Sequence, residues 1–97
     1  MARESIFQHK LILEIKKRFP GCIVLKNDPS YIQGIPDLIV LYNKHWAALE
    51  CKATAESSHQ ANQDIYVSRM NDMSFAAFIF PTNKEEVLHE LEQAFES

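Results

Sequence analysis

The 97 residues, 46% hydrophobic and 24% charged, describe one globular domain and exclude a disordered or low-complexity chain. The longest apolar runs, such as Phe75 to Phe80, span six residues, too short to cross a bilayer. Met1-Ala2-Arg3-Glu4 opens an amphipathic pattern rather than an apolar export signal, so a cytoplasmic location is expected. Net charge is −3 but uneven: residues 1–52 carry eight Lys or Arg against five Asp or Glu (+3), and residues 53–97 carry two against eight (−6). A basic cluster (Lys10, Lys16, Lys17, Arg18, Lys26) thus stands apart from an acidic tail, and the total neither supports nor excludes a polyanionic partner. Cys22 and Cys51 lie far apart with no CxxC spacing, which points to two reduced thiols rather than a zinc site.

In chain order, Arg3 to Phe19 reads as a helix with Ile6, Phe7, Leu11, Ile12, Ile15 and Phe19 on a core stripe, stopped by Pro20-Gly21. Cys22-Ile23-Val24-Leu25 is a short strand, followed by a loop from Asn27 to Gly34. Asp37 to Tyr42 is a second strand, Asn43-Lys44 a hairpin turn, and His45 to Lys52 a third strand. Ser57-Ser58-His59-Gln60 matches a capping box, predicting a helix from about Ser58 to Asn71. Phe75 to Phe80 reads as a fourth, fully buried strand. Thr82-Asn83-Lys84-Glu85 is a second capping box, opening a helix with Val87, Leu88, Leu91, Ala94 and Phe95 on one face.

Three residues carry the chemistry: Asp37, after Gly34-Ile35-Pro36, and Glu50 and Lys52, separated by Cys51. Alternation on a strand turns Glu50 and Lys52 to one face and Cys51 to the other. A turn at Asn43-Lys44 pairs residues whose numbers sum to 87, which sets Asp37 opposite Glu50. Two opposed carboxylates repel one another unless a cation lies between them. Hard oxygen donors with open positions suit Mg²⁺ or Mn²⁺, whose chemistry is the hydrolysis of phosphodiesters. Lys52 on the same face can orient the attacking water or neutralise charge on the phosphoryl oxygens. A bare ExK also describes a cross-strand salt bridge; the Gly-Ile-Pro lead-in and the register distinguish this one.

Gly34-Ile35-Pro36-Asp37-Leu38 followed by Glu50-Cys51-Lys52 resembles the PD-(D/E)xK nuclease signature, and the predicted αβββαβ order with a C-terminal helix and a mixed sheet resembles that superfamily's α/β core. Within it, Glu4, the GxPDL form and Gln63 look most like the VRR-NUC (virus-type replication-repair nuclease) family, over roughly Glu4 to Phe80 of a single domain spanning 1–97. The resemblance implies a metal-dependent endodeoxyribonuclease in which Asp37, Glu50 and the Cys51 carbonyl bind Mg²⁺ or Mn²⁺ and Lys52 is the catalytic lysine. It also implies Glu4 as an accessory carboxylate and Gln63 as a residue that holds or orients the site. Stand-alone members are similar to homodimeric nucleases of four-way (Holliday) junctions, and domain-embedded relatives act on flaps. A symmetric junction needs two sites, which a homodimer supplies, through either the last helix's apolar face or the Trp46 hairpin.

From the residues alone, Glu4 is equally an acidic residue suited to a helix N-terminus, and Gln63 is more often a capping or surface residue, so its assignment leans on the resemblance. Lys26, Asn27 and Tyr31 lead into Asp37 and are candidate nucleic-acid contacts or an ordinary connection. The rival readings are a flap- or single-strand-cutting nuclease and a non-catalytic DNA-binding protein with a nuclease fold.

Overall fold

A computed structural model describes residues 2–96, so Met1 and Ser97 of the expected domain lie outside the described residues. Leu11, Ile15 and Phe19 recur every four residues and bury one stripe of helix α1 (Ala2–Arg18). Gly21, at φ +90°, then takes the left-handed conformation that turns the chain away. Strands β1 (Ile23–Lys26), β2 (Leu38–Tyr42) and β3 (His45–Cys51) form an antiparallel meander. Helix α2 (Ala61–Met73) carries the crossover to β4 (Phe75–Ile79), which pairs with β3 in parallel, and helix α3 (Lys84–Glu96) follows. The fold is therefore α/β, a mixed sheet of order β1-β2-β3-β4 with its first helix, three strands, helix and strand in the anticipated αβββαβ order and a C-terminal helix.

The hairpin register is the one the turn residues predict. Asn43 accepts φ 55°, and Tyr42 pairs with His45, Val40 with Ala47 and Leu38 with Leu49. Alternation then gives the sheet two different faces. Leu38, Val40, Ala47, Leu49, Cys51 and Ile79 join Leu11, Ile15 and Phe19 of α1 and Val87, Leu88, Leu91 and Phe95 of α3 in one sealed core. Each Leu or Ile fully buried there stabilises by roughly 1.5–3 kcal/mol. On the other face, Ala48 and Ala76 meet Val67 of α2, with Ile39, Trp46, Met70 and Phe78 around them.

Several expectations need correction. Ile6 is 55% exposed rather than part of the core stripe, because it falls outside the arc that Leu11 and Ile15 define. Helix α2 starts at Ala61, capped by Gln60: the Gln63 side chain accepts the Gln60 N–H at 3.1 Å, while the Ser57 hydroxyl is turned to the Thr54 N–H at 3.0 Å. The expected box at Thr82 to Glu85 is also displaced. Asn83 turns its side chain back onto the end of β4, accepting from the Phe80 N–H at 2.8 Å and donating to the Phe78 carbonyl at 3.0 Å. β4 is an edge strand, so Phe75, Ala77 and Phe78 stay half-buried instead of fully buried. The apolar face of α3 is taken up by the core, which removes it as an interface. Among the described residues, no helix is long and apolar enough to cross a membrane.

Candidate active site

The site forms where the ladder between β2 and β3 runs one pair past its last strand partners, Leu38 and Leu49. Asp37 precedes β2 and Glu50 stands opposite it near the end of β3, and each holds the other's strand. The Asp37 N–H donates to Glu50 Oε1 at 3.1 Å, and the Cys51 N–H donates to Asp37 Oδ2 at 2.9 Å. The Lys52 N–H donates to the Ile79 carbonyl at 2.9 Å, so strand alternation persists beyond Cys51 and Lys52 returns to the face of Glu50. Both are buried, at 3% and 6% exposure.

Helix α2 completes the constellation. Gln63 Nε2 donates to Glu50 Oε2 at 3.0 Å, while its Oε1 accepts from Lys52 Nζ at 2.8 Å. Lys52 Nζ also donates to the Ser58 carbonyl at 3.0 Å and lies 3.8 Å from Glu50 Oε2. One amide thus bridges a buried carboxylate and a buried ammonium, which fixes its own orientation and both neighbours.

The electrostatics follow from burial. Desolvation, then repulsion from Asp37, pushes the Glu50 carboxyl up to about 7, with Lys52 and the Asp37 N–H opposing and Glu4 adding to the rise. Asp37 is also raised, chiefly by burial, against the Cys51 N–H and Lys52, with Glu4 again raising it. Glu4, half-buried in the first turn of α1, is therefore near enough for its charge to be felt at both carboxylates. The Cys51 thiol, on the sealed face, is bonded by Gln8 and raised well above the thiol range by burial.

Among the described residues no three His, Cys, Asp or Glu side chains gather into a ready-made ion cage. The donor set is two carboxylates, with the Cys51 carbonyl as the expected third ligand. That set fits Mg²⁺ or Mn²⁺, which bind through one or two carboxylates and keep several waters. Two neighbouring carboxylates whose charged forms are both disfavoured would be relieved by such an ion.

Other expected contacts are placed differently. Asn27 has a structural part: Nδ2 donates to the Pro36 carbonyl at 2.7 Å and its N–H donates to the Asp37 carbonyl at 2.8 Å, bracing the segment that carries Asp37. Lys26 is exposed at the end of β1. Tyr31 is 84% exposed beside a cavity of about 250 Å³ that Ile32, Ile35, Ile39 and Met70 also line. The basic cluster does not gather at the site. Arg18 pairs with Glu85 at 3.1 Å, Glu14 at 3.6 Å and Glu92 at 3.7 Å, on the sealed side of the sheet.

Sequence reasoning missed two supports. The Ser58 carbonyl as a partner of Lys52 has no side-chain signal. Gly34 did have one: at φ +91°, it lies so close to Asn62 that a Cβ there would collide with the Asn62 Cβ and main chain. That contact presses the loop bearing Asp37 against the helix bearing Gln63.

Comparison with protein-family models, with curated proteins and with solved structures finds no match.

Proposed function

We propose that the protein is a Mg²⁺- or Mn²⁺-dependent endodeoxyribonuclease of VRR-NUC-like type that hydrolyses phosphodiesters in branched DNA, with four-way junctions cut by a homodimer. The observation that carries this reading is the hydrogen-bonded Asp37–Glu50–Gln63–Lys52 network at one end of the sheet, in which Glu50 and Lys52 are buried and Asp37 and Gln63 half-buried. A surface salt bridge gains at most about 1 kcal/mol and lacks the bracing seen here. Burying a carboxylate and an ammonium beside a second, half-buried carboxylate is the arrangement expected where charge has chemical work.

Asp37, Glu50 and the Cys51 carbonyl would hold the ion, which supplies Lewis-acid polarisation of the scissile phosphate and acidifies the attacking water. Lys52 has two of its three donors fixed on Ser58 and Gln63. The third remains to hold the attacking water or a phosphoryl oxygen as negative charge builds in the in-line displacement. Gln63 ties Glu50 Oε2 and Lys52 Nζ to one amide, which holds the amine 3.8 Å from the carboxylate and leaves Glu50 Oε1 on the Asp37 N–H.

The test is a panel of four-way junction, flap, duplex and single-stranded DNA incubated with Mg²⁺ or Mn²⁺. Junction cleavage should fall roughly 10²–10³-fold in Lys52→Ala, and at least as far in Asp37→Asn and Glu50→Gln. Cleavage that survives any of the three overturns the assignment. Cutting confined to flaps or single strands would replace the junction as substrate, and binding without any cleavage would make the protein a DNA-binding scaffold.

A further inference from the structure

The face of the sheet that carries Glu50 is only half covered. Helix α2 packs on β3 and β4 and leaves the β1–β2 half to solvent. Register sets two apolar rows there: Ile23 beside Leu41 beside Trp46, and Leu25 beside Ile39 beside Ala48. Their outer members are bare, with Ile23 57%, Leu25 45% and Leu41 37% exposed, and the 84% exposed Tyr31 continues the strip past Ile39.

We infer that this β1–β2 face is where a second copy of the chain docks. The inference rests on the proposed nuclease reading for its purpose, since two-strand cutting needs two sites, but the surface argues for itself. The strip offers on the order of 500 Å² of apolar surface, the size that marks interaction sites on monomers. A stable homodimer buries about 800 Å² per partner, about 65% of it apolar, so the apolar area matches what a dimer requires. On β1 and β2 no charged residue belongs to this face, because alternation turns Lys26 to the other side with Leu38. Its strand positions offer a polyanion no cation, whereas an uncharged apolar strip is complementary to itself across a two-fold axis. β1 is also an edge strand, whose unpaired main-chain groups lie beside the strip and would be covered with it.

Sedimentation equilibrium of the full chain, without metal or DNA, tests this independently of catalysis. The wild type should reach twice 11.2 kDa at or below about 100 μM. Ile23→Glu and Leu41→Glu should each weaken association at least tenfold. Leu13→Glu, at a 52% exposed site on α1 across the sheet, should leave it unchanged. Hydrogen exchange of the unaltered chain provides a measurement that no folding defect can confuse: protection in β1 and β2 should rise with concentration while that in α1 stays constant. A wild type that remains monomeric overturns the inference, as does a dimer indifferent to both strip variants or to exchange in β1 and β2. Strip variants that keep the wild-type mass yet lose DNA affinity would assign the face to nucleic acid and overturn it equally. None of these outcomes bears on whether Asp37, Glu50 and Lys52 cut DNA.

Discussion

The two faces of the sheet obey opposite rules. Under α1 and α3, the apolar side chains are inside, as the hydrophobic effect demands. On the α2 side a carboxylate and an ammonium are buried at one end, while isoleucine and leucine face water at the other. The first face holds the molecule together; the second carries features that stability alone would not select, and departures of both kinds are how a site and a docking surface show themselves.

The sharpest way to separate the faces is to compare the size and pH dependence of equivalent damage. Leu88→Ala in the sealed core should cost roughly 3–5 kcal/mol by chemical denaturation, and by the same amount at pH 5 and pH 8, since it lies in the apolar cluster between the sheet and α3. Lys52→Met should cost about 3 kcal/mol at pH 8, where it strands a charged Glu50, leaves the Ser58 carbonyl without its side-chain donor and leaves Gln63 Oε1 with the Gln60 N–H alone. The loss should shrink markedly at pH 5, below the Glu50 value of about 7, where the carboxyl is neutral. A pH-independent loss would show that Lys52 acts by packing.

A smaller effect, on the order of 1–2 kcal/mol, is expected for Gly34→Ala, from left-handed strain and the collision with Asn62. Its diagnostic is a fall in cleavage larger than the fall in stability explains, because Gln63 would shift with the first turn of α2.

The smallest effect has the opposite sign. Carboxyls raised on folding bind more protons in the native state, so their contribution is lost as pH climbs from 4.5 to about 7 and does not return above it. Asp37→Asn removes one charge and its repulsion of Glu50. It should therefore raise the melting temperature by a few degrees at pH 8, about 1 kcal/mol, and by little at pH 5, while abolishing cleavage. A variant less stable than wild type at pH 8 would contradict the repulsion between the two acids.

What could be read from the residues was whatever short-range geometry dictates. Asn43 fixes the turn, the turn fixes the register, and the register brings Asp37 to Glu50 and sets Lys52 beside it. Gln63 was placed on a helix near the site only through resemblance, and its bridging role emerged from a helix that starts at Ala61 instead of Ser58. The bracing part of Asn27 was illegible because nothing local shows that its amide donates to the carbonyl of Pro36, nine residues on. The bare β1–β2 strip was illegible for a related reason: periodicity says that Ile23, Leu25 and Leu41 share a face, but only the packing of α2 on β3 and β4 says which half goes uncovered.

Cys51 sits between the two residues on which catalysis would depend, yet its sulfur points through the sheet into the sealed layer, with no exposed surface. The alternating pleat acts as a partition, giving consecutive positions different chemical fates. Alkylating and oxidising agents that enter the cleft should leave this sulfur untouched, and in the folded chain iodoacetamide should label only the half-exposed Cys22. A thiol between Glu50 and Lys52 need not make the protein vulnerable to oxidative stress.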